Sequence, residues 1–218
     1  MICIRERIGM RPSDEYMRVI GITGGVGAGK SEVISWLAKR PDCRVIMADQ
    51  AAHRLEEPGG VCYEPLAALL GDETLDTEGR IDKQRMAAKI FADGTLLRRV
   101  NEIVHPAVKA YLTDQIEKER SEGKIKYLFI EAALLIEEGY AEIVDEMWYV
   151  HAEEAVRRQR LKSSRGYTDE KIDSILKSQL SEEEFRRSCA VVIENNGTLQ
   201  SVYTQIEKEL GEDQWQKQ

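Results

Sequence analysis

A glycine-rich segment near the start of the chain has the residue types and the spacing needed to hold a phosphate chain. Gly24 to Ser31 fits the P-loop pattern Gly-x-x-x-x-Gly-Lys-Ser. Its glycines let the backbone curl, so that successive N–H groups point at phosphate oxygens. Lys30 provides a charge for the β- and γ-phosphates, and Ser31 offers a hydroxyl to Mg²⁺. The segment therefore predicts binding of a nucleoside triphosphate together with magnesium.

A carboxylate follows the next apolar run. Asp49 comes just after residues 44–47, which predict a buried strand, and ligands of parallel sheets bind at the carboxyl ends of strands. There a carboxylate would orient an acceptor hydroxyl and take its proton late in a loose phosphoryl transfer. Alternatively, Asp49 is the N-cap of a helix that starts at Gln50. Position alone does not separate these two interpretations.

Basic side chains are gathered in one short segment of this acidic chain, at Arg157, Arg158, Arg160, Lys162 and Arg165. Arginine forks match phosphate geometry and stabilise charge on a transferring group. Positions 157 and 160 share a helical face, and Gly166 offers a hinge. Beside a P-loop the cluster predicts a lid over the nucleotide, whereas without one it would predict a solvated face paired with Glu153 and Glu154.

The three histidines carry less information. His53 lies on the same predicted helix as Asp49, from which it could reach a substrate. For His105 and His151, structural roles are favoured on the residues alone.

These side chains need a framework that brings strand ends together. Apolar runs predict five buried strands, at residues 18–23, 44–47, 127–132, 147–150 and 190–193. Helical patterns between them predict a doubly wound α/β fold: a P-loop kinase core with a five-stranded parallel sheet and helices on both faces. The clearest helical stripe is most compatible with a core-facing helix, and it consists of Leu96, Leu97, Val100, Ile103, Val104, Ala107, Val108, Tyr111 and Leu112.

We expect one domain at residues 18–210, made of three parts. The parts are a core at about 18–50, 124–152 and 188–210, an inserted helical substrate subdomain at about 51–123, and a helical lid at about 153–187. Residues 1–17 are polar and mixed in charge, which predicts a disordered extension without a secretory signal. Residues 211–218 are expected to form a C-terminal tail.

Composition limits the function classes. The chain has 218 residues and a formal net charge of -8, so nucleic acid is a poor default partner. No stretch approaches the roughly 20 apolar residues that span a bilayer. The four cysteines lack Cys-x-x-Cys or zinc spacing, which favours free thiols in a reducing cytosol and a cytoplasmic protein.

At these residues the chain resembles dephospho-CoA kinase, a P-loop kinase of coenzyme A synthesis. The resemblance covers nearly the whole chain from about residue 18. It depends on the segments 20–31, 48–53, 97–106, 133–137, 159–161 through Gln179, and 192–197.

The resemblance implies transfer of the ATP γ-phosphoryl group, with Mg²⁺, to the 3′-hydroxyl of the ribose of dephospho-CoA. It implies a monomer or weak homo-oligomer whose partners are ATP and dephospho-CoA. The catalytic residues so expected are Asp49, Lys30 and Arg160. With the P-loop motif, the ATP-binding residues are Gly25, Val26, Gly27, Ala28, Gly29, Lys30, Ser31, Glu32, Arg165 and Asn195. The acceptor-binding residues are Thr23, Asp49, His53, His105, Leu134 and Leu135.

Several positions depart from the family's pattern. Met47 stands where the family commonly has the first Asp of Asp-Ala-Asp, which leaves Asp49 as the one carboxylate expected at the acceptor. Ala133 replaces a proline, and Glu32 replaces a threonine. One extra residue separates Arg160 from Arg165, so the spacing of these two arginines also departs from the family's pattern.

Other functions fit parts of the pattern. A nucleoside or nucleotide kinase would share the core and differ only in the acceptor subdomain. A GTPase would account for Asp76-Thr-Glu-Gly79, but the chain has no Asn-Lys-x-Asp motif to recognise guanine. A structural adaptor with an inactive P-loop is disfavoured because Lys30, Ser31 and Asp49 are intact.

Overall fold

The computed structural model describes residues 16–211, and the predicted disordered extension and C-terminal tail lie mostly outside this range. Its five strands form one parallel sheet in the order β2-β3-β1-β4-β5, which confirms the predicted α/β fold. They are β1 (Arg18–Thr23), β2 (Cys43–Met47), β3 (Tyr127–Glu131), β4 (Glu146–His151) and β5 (Val191–Glu194). Each lies within one residue of the predicted run.

The order of the strands explains where ligands gather. β1 lies in the centre between β3 and β4. The next two strands of the chain, β2 and β3, lie on one side of β1, and the last two, β4 and β5, lie on the other side. Such a reversal creates a crevice beyond the carboxyl ends of the strands. The P-loop, which follows β1, therefore lies at the carboxyl ends of the strands, where ligands of such sheets bind.

Helices cover both faces of the sheet. On one face α1 (Lys30–Leu37) and α9 (Leu199–Glu209) pack against the odd-numbered residues of β3, Tyr127 and Phe129. On the other face Leu128 and Ile130 pack with the longer helical layer. Both faces are apolar because a parallel sheet is covered on each side.

The second layer comprises the segment predicted as a substrate subdomain, a division that stays a prediction. Its helices are α2 (Ala48–Glu56), α3 (Tyr63–Leu70), α4 (Lys83–Ala92) and α5 (Gly94–Glu122). The α5 stripe buries Leu96, Val100, Val104, Val108, Leu112 and Ile116, four residues apart. Leu97 was wrongly included, because its side chain is 51% exposed; it lies one residue, or 100°, away from Leu96 on the helix.

The region predicted as a lid contains α6 (Glu154–Arg165), α7 (Asp169–Lys177) and α8 (Glu182–Ser188). Helix α6 continues to Arg165, directly before the glycine that was predicted as a hinge. The hydroxyls of Ser163 and Ser164 donate to the Arg160 carbonyl oxygen, so the helix continues through them. It ends at Gly166, whose φ of 62° suits glycine, and Thr168 caps the next helix.

One predicted boundary, the end of the disordered extension, needs correction. Met17, assigned to the extension, is buried in the core at 5% exposure. Within residues 16–211 no helix combines the length and the apolar character that a membrane crossing requires.

Candidate active site

The P-loop has the backbone shape that its glycines predict. Gly27 and Gly29 have φ values of 82° and 93°, a region that side chains other than glycine rarely adopt. A Cβ at Gly24 would collide with the carbonyl oxygen of Val150 on β4. Glycine at these positions therefore lets the loop curl directly over the strand ends.

Lys30 begins α1 and folds back across the loop. Its Nζ donates to the Gly24 carbonyl oxygen at 2.5 Å. Burial lowers the pKa of the Lys30 ammonium, and the charges of Arg157 and Arg165 lower it further. Glu131 and Asp49 oppose this by raising it. Two carboxylates and two further cations therefore lie within electrostatic range of the lysine.

Asp49 lies inside the first turn of α2, and this rejects the alternative that it is an N-cap. The cap position belongs to Met47, whose side chain makes no capping hydrogen bond. Among residues 16–211 the Asp49 carboxylate has no hydrogen bond or ion pair, and the residue is exposed. Its negative charge raises the pKa values of Lys30 and of the Tyr140 hydroxyl. Asp49 thus lies within electrostatic range of the P-loop Lys30, and its oxygens are available to a ligand.

A second carboxylate near Lys30, that of Glu131, was not predicted as a site residue from the sequence. The expectation of one carboxylate at the acceptor stays a prediction. Glu131 is the last residue of β3 and is 8% exposed. Burial raises its pKa, the nearby charge of Asp49 raises it too, and Lys30 lowers it. It ends an otherwise apolar run and was therefore interpreted only as strand. An acid at the carboxyl end of a buried strand was the signal available.

Two arginines of α6 reach the P-loop. Arg160 donates to the Ala28 carbonyl oxygen at 3.2 Å, and Arg157 donates from Nε to the Val26 carbonyl oxygen at 2.9 Å. Gln179, after α7, accepts from the Val26 N–H at 3.3 Å and from the Arg157 guanidinium. The sequence named Arg160 as a site residue but missed this arrangement of Arg157 and Gln179, which depends on how α7 folds back.

Two interpretations were offered for the basic cluster, a lid over the nucleotide and a solvated helix face, and the remaining basic residues do not all fit the same one. Arg158 pairs with Glu154 at 2.7 Å and with Asp173, and Lys162 pairs with Asp169 at 2.7 Å, as on a solvated helix face. Arg165 lies with its guanidinium 5.9 Å from the centre of the Tyr167 ring. Its charge still lowers the pKa of Lys30.

Asn195 lies directly beneath the P-loop at the end of β5. Its side chain donates from Nδ2 to the Ala28 carbonyl oxygen at 2.8 Å, and its carbonyl oxygen accepts from Arg160 at 2.9 Å. The residue is 1% exposed. Glu32, also predicted to bind nucleotide, lies exposed in the first turn of α1.

The predicted acceptor residues are spread over several elements. Thr23 is buried at the end of β1, and its hydroxyl has no hydrogen-bond partner among the described residues. His53 is exposed on α2, one turn after Asp49. Leu134 is 46% exposed. Leu135 is fully buried against Gly21, so its predicted contact with an acceptor is wrong in this structure.

His105 lies at the wall of an open cavity of about 510 Å³ beside the amino-terminal half of α5. Its Nδ1 is 2.6 Å from the Glu138 carboxylate. Glu138 and Asp49 both raise the pKa of the Tyr140 hydroxyl, after the larger effect of burial. The Tyr140 hydroxyl therefore lies within electrostatic range of both carboxylates. The cavity is lined by Gly94, Leu97, Arg98, Asn101, Glu102, His105, Pro106 and Glu138.

Comparisons with known proteins agree with this geometry. A sequence model of the family described as dephospho-CoA kinase matches residues 18–201. A protein of that name from Symbiobacterium thermophilum is 34% identical over 191 residues, covering 88% of this chain and 79% of the relative. One from Corynebacterium diphtheriae is 33% identical over 201 residues, covering 92% and 97%.

The fold also has solved counterparts. The crystal structure of TT1252 from Thermus thermophilus is 29% identical in sequence, with a TM-score of 0.73, and the match covers 91% of this chain and 98% of that one.

Proposed function

The chain belongs to the dephospho-CoA kinase family, and from this premise we propose that it transfers the γ-phosphoryl group of ATP to the 3′-hydroxyl of the ribose of dephospho-CoA. The products are coenzyme A and ADP, which makes this the last step of coenzyme A synthesis. The observation that carries the proposal is an unpaired carboxylate, Asp49, in electrostatic contact with the P-loop Lys30. Nucleotide phosphates and an acceptor hydroxyl would meet between these two groups.

The loop and its helix provide the phosphate site. Backbone N–H groups of the P-loop and the positive end of α1, which begins at Lys30, would bind the phosphate oxygens. Lys30 exchanges its hydrogen bond with Gly24 for the β- and γ-phosphates, where its charge offsets that of the transferring group. Since burial lowers the pKa of this ammonium, the negative phosphates also favour its charged form.

Magnesium fits the oxygen donors that surround the loop. The Ser31 hydroxyl and the carboxylates of Asp49 and Glu131 are the hard ligands that Mg²⁺ prefers, either directly or through water. When bound, the ion would neutralise charge on the β- and γ-phosphate oxygens. We propose Ser31 as its direct protein ligand.

Asp49 acts on the acceptor. Its carboxylate accepts a hydrogen bond from the ribose hydroxyl and takes the proton as the new O–P bond forms and the bond to the leaving ADP breaks. His53, on the same face of α2, and His105, at the α5 cavity, are proposed acceptor contacts. Arg160 and Arg165 of α6 would stabilise the charge of the transferring group.

A coupled assay tests the proposal directly. Purified protein with ATP and Mg²⁺ is given dephospho-CoA, adenosine or a nucleoside monophosphate, and ADP formation is followed. We expect turnover with dephospho-CoA far above that with the other acceptors. Strong turnover of a nucleoside monophosphate with none of dephospho-CoA would instead identify a nucleotide kinase.

Two finer predictions accompany this proposal. ATP and dephospho-CoA are the expected partners of a cytoplasmic protein, and the expected state is a monomer or weak homo-oligomer. Sedimentation of the protein with and without ATP would measure its state of association.

A further inference from the structure

One side-chain oxygen just after α7 holds two donors of the phosphate site at once. The Gln179 Oε1 accepts a hydrogen bond from the Val26 N–H at 3.3 Å and another from Nη2 of Arg157. The Arg157 Nε donates in turn to the Val26 carbonyl oxygen at 2.9 Å. Both backbone groups of Val26, the third residue of the P-loop motif, are therefore bound by side chains from α6 and from beyond the end of α7.

The segments on either side of Gln179 hold it in this place. Its own N–H donates to the Leu176 carbonyl oxygen at 3.4 Å, which continues the last turn of α7. Leu180 packs against the apolar core on the helical side of the sheet. Ser181 then caps α8 in a capping box with Glu184. Because both flanks are anchored, the amide of Gln179 is presented to the P-loop from a well-supported backbone.

Arg157 packs closely against the glycines of the loop. A Cβ added at Gly25 would lie only 2.4 Å from Nη2 and 2.5 Å from Cζ of Arg157. A Cβ added at Gly27 would lie 3.1 Å from the Arg157 carbonyl oxygen, so the backbone of α6 is also close to the loop. Glycine at position 25 therefore leaves the space that the guanidinium occupies.

The charge of Arg157 has no carboxylate partner. The residue is partly buried, and among residues 16–211 it forms no ion pair. Its hydrogen bonds with Val26 and Gln179 leave other N–H groups of the guanidinium fork unused within this part of the chain. Burial lowers the pKa of the Arg157 guanidinium. A partly buried cation with open donors favours an anion beside it.

Arg165, the other arginine near Lys30, is placed differently. It is exposed at the end of α6, with its guanidinium 5.9 Å from the centre of the Tyr167 ring. Both arginines lower the pKa of Lys30, and Arg157 has the larger effect. Of these two, Arg157 is the one that the fold already holds on the P-loop.

We propose that Gln179 is a positioning residue for phosphoryl transfer: by holding the Arg157 guanidinium on the P-loop, it presents this arginine as a second cation, beside Lys30, to the phosphates of ATP. The proposal rests on the proposed function only in requiring that the P-loop binds ATP, and it needs no particular acceptor. Neither Gln179 nor Arg157 belongs to the P-loop motif or to the acceptor residues.

Calorimetric titration of Mg–ATP and of Mg–ADP, without any acceptor, tests this. Gln179→Ala removes the oxygen that orients Arg157. We expect the Kd for Mg–ATP to rise about tenfold, the equivalent of about one charge-assisted hydrogen bond. The Kd for Mg–ADP should rise less, because ADP offers the cation less negative charge. An unchanged Kd for Mg–ATP, or equal rises for the two nucleotides, would overturn the proposal.

A double-variant cycle asks whether Gln179 acts through Arg157. Arg157→Gln removes the charge and should itself raise the Kd for Mg–ATP. In Gln179→Ala/Arg157→Gln the loss should stay close to that of Arg157→Gln alone, because an absent arginine needs no positioning. Losses that add in full would show that the two side chains act independently, and this would overturn the proposal.

Gln179→Glu separates positioning from packing. Glutamate has the same length and keeps an oxygen for both donors, so the fold should persist, and denaturant unfolding checks this. Its charge pairs with Arg157 and withdraws that cation from the phosphates. The preference for Mg–ATP over Mg–ADP should therefore fall several-fold. A folded Gln179→Glu protein with the wild-type preference would overturn the proposal.

Two controls match these variants. Arg158→Gln removes an arginine that pairs with two carboxylates away from the loop, and Gln200→Ala removes an exposed glutamine of α9. Both should bind Mg–ATP as the wild type does, and losses equal to those at Arg157 and Gln179 would overturn the proposal. Because dephospho-CoA is absent, these results are independent of the acceptor. Failure of the proposed function would appear instead as wild-type protein that binds Mg–ATP but does not phosphorylate dephospho-CoA.

Discussion

Arg160 and Asn195 form a direct link between α6 and the end of β5, with the arginine Nη2 2.9 Å from the asparagine carbonyl oxygen. Both also hold the Ala28 carbonyl oxygen of the P-loop, from Nη1 at 3.2 Å and from Nδ2 at 2.8 Å. Three segments far apart in sequence therefore meet on one peptide group. The position of the predicted lid is coupled to the phosphate loop through this contact.

The hydrogen bonds of Arg160 with Ala28 and Asn195 predict that Arg160→Lys weakens ATP binding. Lysine keeps the charge but cannot bridge Ala28 and Asn195 at once, because its ammonium lacks the planar fork of arginine. We expect the Kd for Mg–ATP to rise about tenfold, the equivalent of about one charge-assisted hydrogen bond. Titration calorimetry measures it. Arg158→Lys is the control, since Arg158 pairs with Glu154 and Asp173 away from the loop; an equal loss there would contradict the special role of Arg160.

The second prediction separates chemistry from binding at Asp49. In Asp49→Asn the amide cannot take a proton, so we expect kcat to fall by about 10²- to 10⁴-fold, while the Kd for ATP changes little. Steady-state kinetics with dephospho-CoA and a separate ATP titration measure the two effects. Asp114→Asn, at an exposed position on α5, provides the control. Undiminished turnover in Asp49→Asn would exclude Asp49 as the base.

The sequence was sufficient for those parts of the fold that depend on local pattern. Buried parallel strands are short apolar runs, and glycine at fixed spacing specifies the P-loop, so both were predicted within a residue. Glu131 was not predicted as a site residue, and this omission has a physical cause. A strand is recognised by its apolar majority, whereas the role of its last residue depends on which strand it pairs with. The register of Glu131 beside Met47 is a non-local property.

The errors at Leu97 and Leu135 have the same origin. Both are leucines in apolar surroundings, yet one is 51% exposed and the other fully buried against Gly21. Each has a neighbouring leucine with the opposite exposure, since Leu96 is buried and Leu134 is exposed. Hydrophobicity predicts that a leucine favours the core, but not which of two adjacent leucines faces it. That choice depends on the rotation of α5 and on the fold of the loop after β3.

The third prediction tests the packing of α5 against the sheet. Leu112 is fully buried, so Leu112→Ala should lower the free energy of unfolding by about 2–5 kcal/mol through lost burial and a residual cavity. Leu97→Ala, on the same helix but half exposed, should change it by less than about 1 kcal/mol. Denaturant unfolding measures both variants. Similar losses in the two would contradict the assigned orientation of the helix.

The fourth prediction concerns stability against pH at Glu131. Burial raises the pKa of this acid in the folded protein above its ordinary value of 4.5. The folded state therefore binds the proton more tightly than the unfolded state, and its contribution to stability is present at low pH and lost as pH rises through the raised pKa. At neutral pH, Glu131→Gln should be at least as stable as the wild type. This advantage should shrink as pH falls towards 4.5, as measured by denaturant unfolding at several pH values. A variant that is less stable at every pH would contradict the cause assigned to the shift.

The last prediction addresses the acceptor side. The Nδ1 of His105 lies 2.6 Å from the Glu138 carboxylate at the wall of the α5 cavity, and the Tyr140 hydroxyl lies within electrostatic range of both Glu138 and Asp49. If this cavity receives part of dephospho-CoA, Glu138→Gln should disturb the orientation of His105 and raise the KM for dephospho-CoA several-fold. The KM for ATP should stay unchanged, because neither residue takes part in the P-loop contacts of Arg157 and Arg160.

Kinetics with each substrate varied in turn measure this difference. Glu142→Gln is the matched control, because it removes a carboxylate four residues away that is exposed and pairs with Lys109. A rise in the KM for ATP alone would connect Glu138 with the nucleotide instead of the acceptor. Equal effects of Glu138→Gln and Glu142→Gln on the KM for dephospho-CoA would exclude the cavity as part of the acceptor site.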